Sequence, residues 1–120
     1  MAKILLIEDD LSIAKLYKTE LELDGHNVTH LENGAKTVDT AKAETPDIIL
    51  LDIQLPDKDG LTILADLKDD ELTKNIKVVM LTNYANEENV EKALNMGAED
   101  FIPKHRIVPQ ELSAKVNSMV

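Results

Sequence analysis

The chain has 120 residues, 43% hydrophobic but only 2% aromatic, with 30% charged and a formal net charge of −10. That length fits one domain, residues 1–120, able to bury a core of its own built from Ile, Leu, Val, Ala and Met. The charge disfavours direct binding of DNA or RNA and docking on anionic membranes, and the absence of cysteine excludes disulfide and thiolate chemistry. No apolar stretch approaches the roughly 18 residues of a bilayer span. The N-terminus lacks a long apolar stretch and a small-residue cleavage site, so no signal peptide is expected and the cytoplasm is the default location.

In chain order, an apolar run over Lys3–Glu8 predicts a strand. Helical spacing of Ile13, Leu16, Tyr17, Glu20 and Leu21 predicts a helix over Leu11–Leu23, ended by Asp24-Gly25. His26–Leu31 reads as a polar edge strand. Asn33-Gly34 opens a helix over Ala35–Ala43, which Pro46 terminates. Ile48–Asp52 is continuously apolar up to its last residue, as a fully buried strand is. Leu55–Gly60 is a turn-rich loop, followed by a helix over Leu61–Lys68 and a polar link to a second buried strand, Lys77–Leu81. Asn86 is placed to cap a helix over Glu87–Met96 that Gly97 closes. A short strand, Asp100–Pro103, precedes a last helix entered at Pro109, with Leu112, Val116 and Met119 as its stripe.

Five strands alternating with five helices predict an α/β domain whose parallel sheet is covered on both faces. Ligands of such sheets bind beyond the carboxyl ends of the strands. Four of those ends carry polar groups: Glu8-Asp9-Asp10, Asp52, Thr82 and Lys104. Neighbouring strands would gather them into one crevice. Crowded carboxylates either take up a proton or are held ionised by a cation. Hard oxygen ligands in a small site suit Mg²⁺. Asp9 and Asp52 are the best direct ligands, with Glu8 acting through a water and a backbone carbonyl near Gln54 completing the shell. A carboxylate is also a nucleophile that forms an aspartyl-phosphate. Lys104 and the Thr82 hydroxyl are suited to stabilising the transferred phosphoryl oxygens.

These pieces together resemble the receiver domain of two-component response regulators, the chemotaxis regulator among them. The matching motifs are Ile-Leu-Leu-Ile-Glu8-Asp9-Asp10, Leu-Leu-Asp52-Ile-Gln-Leu-Pro56-Asp-Lys-Asp-Gly60, Val-Val-Met-Leu-Thr82 and Gly97-Ala-Glu-Asp-Phe101-Ile-Pro-Lys104. The spacing also matches, with 43 residues from Asp9 to Asp52, 30 to Thr82 and 22 more to Lys104. The sheet expected with this resemblance is doubly wound, (βα)5, in the flavodoxin-like order 2-1-3-4-5. The resemblance implies that Asp52 accepts a phosphoryl group from a phosphohistidine on a sensor kinase or a histidine phosphotransfer protein. It implies Mg²⁺ at Glu8, Asp9 and Asp52. It implies a switch in which the Thr82 hydroxyl turns toward the phosphoryl group and the Phe101 ring rotates inward. The face made by the helix Glu87–Met96, the strand Asp100–Pro103 and the last helix then changes shape for a downstream protein partner. Such a module catalyses its own phosphorylation and dephosphorylation and is not an enzyme toward other substrates. It acts as a monomer or a phosphorylation-dependent dimer. Two departures stand out. His105 follows Lys104 where the family often has a cis-linked Pro, and Gln54 and Tyr84 occupy positions that vary in the family. Gln54 and Tyr84 are expected to flank the attacking water and tune the lifetime of the phosphate.

Other polar residues have simpler readings. Asp10 reads as a helix cap, and Asp57 and Asp59 as loop carboxylates in a turn. His26 and His30 share one side of the edge strand without visible metal partners, and His105 reads as an exposed loop residue. Met80 and Met96 fill core. A Mg²⁺-dependent phosphohydrolase generally needs a second carboxylate two residues after the nucleophile, where this chain has Gln54. A nucleotide- or flavin-binding module would want Gly, Ser and Thr where Glu8-Asp9-Asp10 stands. The alternatives within the family are a phosphate-independent protein-binding receiver and a phosphorelay intermediate.

Overall fold

Apolar runs too short to be helices become strands because they pair. In the computed structural model, which describes residues 2–83, 87–104 and 107–120, the strands are β1 (Lys3–Ile7), β2 (Asn27–Leu31), β3 (Ile48–Asp52), β4 (Lys77–Thr82) and β5 (Asp100–Pro103). The helices are α1 (Leu11–Leu23), α2 (Thr37–Glu44), α3 (Gly60–Lys68), α4 (Glu87–Asn95) and α5 (Pro109–Met119). All strand pairs are parallel, in the order β2-β1-β3-β4-β5. The sheet has the architecture expected of a flavodoxin-like domain.

The central strands are apolar on both faces because helices cover both. Leu5, Ile7, Ile49, Leu51, Val78 and Met80 pack with Ala41, Ile63, Leu64, Leu67 and Ala93 of α2, α3 and α4. The alternate residues Ile4, Leu6, Ile48, Leu50, Val79 and Leu81 pack with Ala14, Tyr17, Leu21, Leu112 and Val116 of α1 and α5. Each fully buried Leu or Ile contributes about 1.5–3 kcal/mol relative to an exposed one. Aliphatic side chains therefore suffice without a large aromatic core.

The element ends follow local hydrogen bonding. β2 begins at Asn27 rather than His26, because the His26 N–H closes α1 on the Leu21 carbonyl at 3.1 Å, with Gly25 at φ 92°. Gly97, at φ 102°, plays the same part after α4, where the Ala98 N–H reaches the Ala93 carbonyl. α2 begins two residues later than its periodicity suggests. The Gly34 N–H is taken by Asp57 Oδ1 at 2.8 Å, which holds residues 34–36 in a turn. Thr45, at φ 46°, ends α2 just before Pro46. Asn86, read above as a cap, lies outside the described residues.

Far from the four polar strand ends, a chain of hydrogen bonds ties α5 to Ala2, just before β1. His26 Nδ1 accepts from the Ala2 N–H at 3.0 Å, so a neutral ring carries its proton on Nε2, which donates to Asn117 Oδ1 at 2.6 Å. Asn117 and Ser113 both donate to Asp24 Oδ2.

Candidate functional site

Parallel pairing in register sets the carboxyl ends of β1, β3, β4 and β5 along one edge of the sheet. β1 runs into Glu8 and Asp9, β3 ends at Asp52, β4 ends at Thr82, and Lys104 directly follows β5. Lys104 Nζ donates to Glu8 Oε1 at 2.7 Å and to Asp52 Oδ2 at 3.0 Å. All three side chains are buried, Glu8 at 0% exposure, Asp52 at 2% and Lys104 at 7%. Thr82 is buried beside them on the neighbouring strand, opposite Pro103.

Charges at this depth persist only if they are paired and hydrogen-bonded. The Asp10 N–H donates to Glu8 Oε2 and the Gln54 N–H to Asp52 Oδ1, each at 3.1 Å. Burial nevertheless pushes the Glu8 carboxyl up to about 7, against the pull of its hydrogen bonds from Lys104 and the Asp10 N–H, with the Asp52 charge adding to the rise. Burial acts on the Lys104 ammonium in the opposite direction. Its bonds to Glu8 and Asp52 outweigh that and hold it above the ordinary lysine range.

Asp9 is exposed at the rim. One oxygen each of Glu8, Asp9 and Asp52 can be chosen so that all lie within 4.8 Å of one another. Three carboxyl groups meet one ammonium, and the excess reaches two negative charges only when Glu8 is ionised. That donor set fits a divalent cation with oxygen preference.

The loop after β3 is fixed from two sides. The Ile53 N–H continues the ladder to the Leu81 carbonyl at 3.0 Å, and the Gly60 N–H donates to the Ile53 carbonyl at 2.7 Å. A Cβ on Gly60 would lie 2.3 Å from the Asp52 carbonyl oxygen and 2.6 Å from Ile53 Cα. No side chain fits there, and the close approach sets the peptide that carries Asp52. The Gln54 side chain is exposed, and it is the peptide N–H of Gln54 that touches the Asp52 carboxylate. The remaining acidic residues of these loops have structural partners. Asp10 Oδ1 accepts from the Ser12 and Ile13 N–H groups and caps α1; Asp59 Oδ1 caps α3 through the Leu61 N–H; Asp57 ties Gly34.

Phe101 is 9% exposed and packs in the core on the α4 side, paired in register with Met80. Tyr84 and His105 lie outside the described residues. Two residues near the site were not marked by any motif. Tyr17 of α1 is buried, and with Ile13, Leu16, Asn83 and Ile107 it lines a cavity of about 220 Å³ that reaches Lys104. Burial pushes its phenol up while the Lys104 ammonium pulls it down. His30 of β2 contacts the Glu8 carbonyl oxygen. Both contacts join segments distant in sequence, which periodicity cannot reveal.

The family model described as "Response regulator receiver domain" matches residues 4–117. The chain belongs to the response regulator receiver domain family. It is 36% identical over 115 residues to the transcriptional regulatory protein KdpE of Staphylococcus aureus, covering 96% of this chain and 48% of KdpE. It is 34% identical over 107 residues to the polar-differentiation response regulator DivK of Brucella anthropi, covering 89% of this chain and 87% of DivK. This receiver thus spans about half the length of KdpE and most of DivK. Among solved structures, the CheY-like receiver domain protein of Methanospirillum hungatei superposes with a TM-score of 0.89 at 30% identity, covering 98% of this chain and 92% of that one. The Mn²⁺-bound form of response regulator Rcp1 superposes with a TM-score of 0.83 at 27% identity, covering 98% and 93%. Among the described residues of this receiver, no helix is long and apolar enough to cross a membrane.

Proposed function

We propose that this receiver takes a phosphoryl group onto Asp52 from a phosphohistidine of a sensor kinase or a histidine phosphotransfer protein, in a Mg²⁺-dependent reaction in the cytoplasm. The observation that carries this reading is the buried Asp52 carboxylate held by Lys104 beside two further carboxylates. An Asp52 oxygen attacks phosphorus, and the O–P bond forms as the P–N bond breaks. The electron pair leaves on the imidazole nitrogen, which takes up a proton.

Glu8, Asp9 and Asp52 would hold the Mg²⁺, with the Gln54 carbonyl completing the shell; the bound ion supplies charge neutralisation for the phosphoryl oxygens. That a related receiver, Rcp1, has been solved with Mn²⁺ supports a divalent cation here. Lys104 exchanges one of its carboxylate partners for a phosphoryl oxygen, and the Thr82 hydroxyl donates to another. The domain modifies itself and turns over no other substrate. Movement of Thr82 toward the phosphoryl group biases α4, β5 and α5, the face offered to a downstream protein, toward a second arrangement. Thr82 and Phe101 form the switch, the ring repacking within the α4-side core as the hydroxyl moves. Gln54 and Tyr84 tune hydrolysis, and Gln54→Met should change the dephosphorylation rate.

Intact-mass spectrometry after incubation with acetyl phosphate tests the acceptor chemistry. The expected result is a gain of one phosphoryl group that requires both Mg²⁺ and Asp52, and is absent in Asp52→Asn. A folded, Mg²⁺-loaded protein that gains no mass from acetyl phosphate or from a phosphorylated histidine kinase would overturn it.

A further inference from the structure

The Glu8 main chain is held by the edge strand at both of its polar groups. Its N–H donates to the Leu31 carbonyl at 3.1 Å. Its carbonyl oxygen lies 2.7 Å from His30 Nε2. A carbonyl oxygen only accepts, so Nε2 carries the hydrogen and donates. On the helix side, the Asp10 N–H binds Glu8 Oε2 while the Asp10 side chain caps α1. The short turn bearing Glu8 and Asp9 is thus stretched between β2 and a capped helix.

The three carboxylates differ in what orients them. Glu8 and Asp52 are buried and bonded to Lys104. Asp9 is exposed, so its direction depends on the backbone beneath it. The carbonyl that His30 binds belongs to the Glu8–Asp9 peptide. Fixing that carbonyl fixes the peptide plane and hence where the Asp9 Cα, from which the side chain departs, sits.

We propose that His30 is a positioning residue for divalent-cation binding, acting through the Glu8–Asp9 peptide to aim the Asp9 carboxylate. This rests on the proposed cation site. Groups that orient metal ligands without touching the ion typically matter about 10–100-fold in affinity. The effect here acts through a main-chain carbonyl, so about tenfold is expected. His30 is half-buried at the sheet edge, a position that tolerates other side chains without loss of core.

Isothermal titration of the whole chain with MgCl₂, on the wild type, His30→Gln and His30→Leu, tests this. Gln places an N–H donor at the same reach as Nε2, whereas Leu fills similar space without one. Thermal unfolding of all three in EDTA reports stability separately from affinity. The expected result is near-wild-type affinity for His30→Gln and about tenfold weaker binding for His30→Leu, whatever their melting temperatures. Binding by His30→Leu within about twofold of wild type, or equal weakening in both variants, overturns the positioning role. A wild type that binds no Mg²⁺ overturns the cation site itself and the proposal with it.

Discussion

Lys104 divides one ammonium between Glu8 and Asp52, and the shortfall falls on Glu8. Its folded-state pKa of about 7 stands above its ordinary 4.5, with burial as the largest cause. The sign follows from proton linkage. Between those two values the folded chain binds the Glu8 proton and the unfolded chain does not. The stabilising contribution of that proton is complete below 4.5 and is lost as pH rises through about 7. In EDTA, the stability of wild type relative to Glu8→Gln should therefore fall between pH 5 and 8, measured by urea unfolding at each pH (the interval brackets the values of about 4.5 and 7). A difference that stays flat or rises with pH would show that Glu8 is ionised throughout. At this scale the residue types of the site were legible. Glu8, Asp9, Asp52, Thr82 and Lys104 each lie at the end of an apolar run, where a sheet gathers its strand ends. His30 and Tyr17 were not legible. A histidine on an edge strand and an aromatic on a helix stripe have ordinary explanations, and only pairing across the fold brings them to Glu8 and Lys104.

Elements are placed by contacts their own sequence only partly announces. The apolar runs located the central strands, but the start of α2 depended on Asp57, 23 residues ahead of Gly34. In the first turn of α2, Thr37 is wholly buried, and its hydroxyl has no hydrogen-bond partner among the described residues. A buried hydroxyl without a partner costs about 1–3 kcal/mol. Thr37→Val keeps the branched shape and removes the cost, so it should stabilise by about 1–2 kcal/mol, read as a higher urea midpoint at unchanged slope. A lower midpoint would mean that the hydroxyl is satisfied. Gly60 poses the opposite case at the start of α3. A methyl group there meets the Asp52 carbonyl oxygen at 2.3 Å, a main-chain atom that cannot swing aside. Gly60→Ala should cost about 1–3 kcal/mol. Because the displaced atom belongs to Asp52, it should also slow phosphorylation from acetyl phosphate by about tenfold or more. Destabilisation with an unchanged phosphorylation rate would show that the loop yields away from Asp52.

At the scale of the whole molecule, the strand order accounts for which helices share a face. Right-handed crossovers put α1 on one side as the chain steps from β1 out to β2. The chain then steps the other way through β3, β4 and β5, which puts α2, α3 and α4 on the opposite side. α5 returns to cover the face of α1. That layout sends every strand's carboxyl end to one edge of a molecule whose net charge is already −10. Two effects of added salt follow, and their sizes separate them. General screening relieves repulsion among exposed charges, and any salt supplies it. Occupation of one site by Mg²⁺ at about a hundred times its dissociation constant stabilises by about 2.7 kcal/mol. For a chain of this length that corresponds to a rise in melting temperature of about 10 °C. MgCl₂ should therefore raise the melting temperature well beyond NaCl at the same ionic strength. Asp9→Asn removes one exposed carboxylate and little packing, so it should keep the response to NaCl and lose most of the response to MgCl₂. Equal shifts with the two salts, or an Asp9→Asn protein that responds to MgCl₂ as the wild type does, would assign the stabilisation to screening of the whole surface. A shift confined to MgCl₂ and dependent on Asp9 would place it at the edge where the strands end.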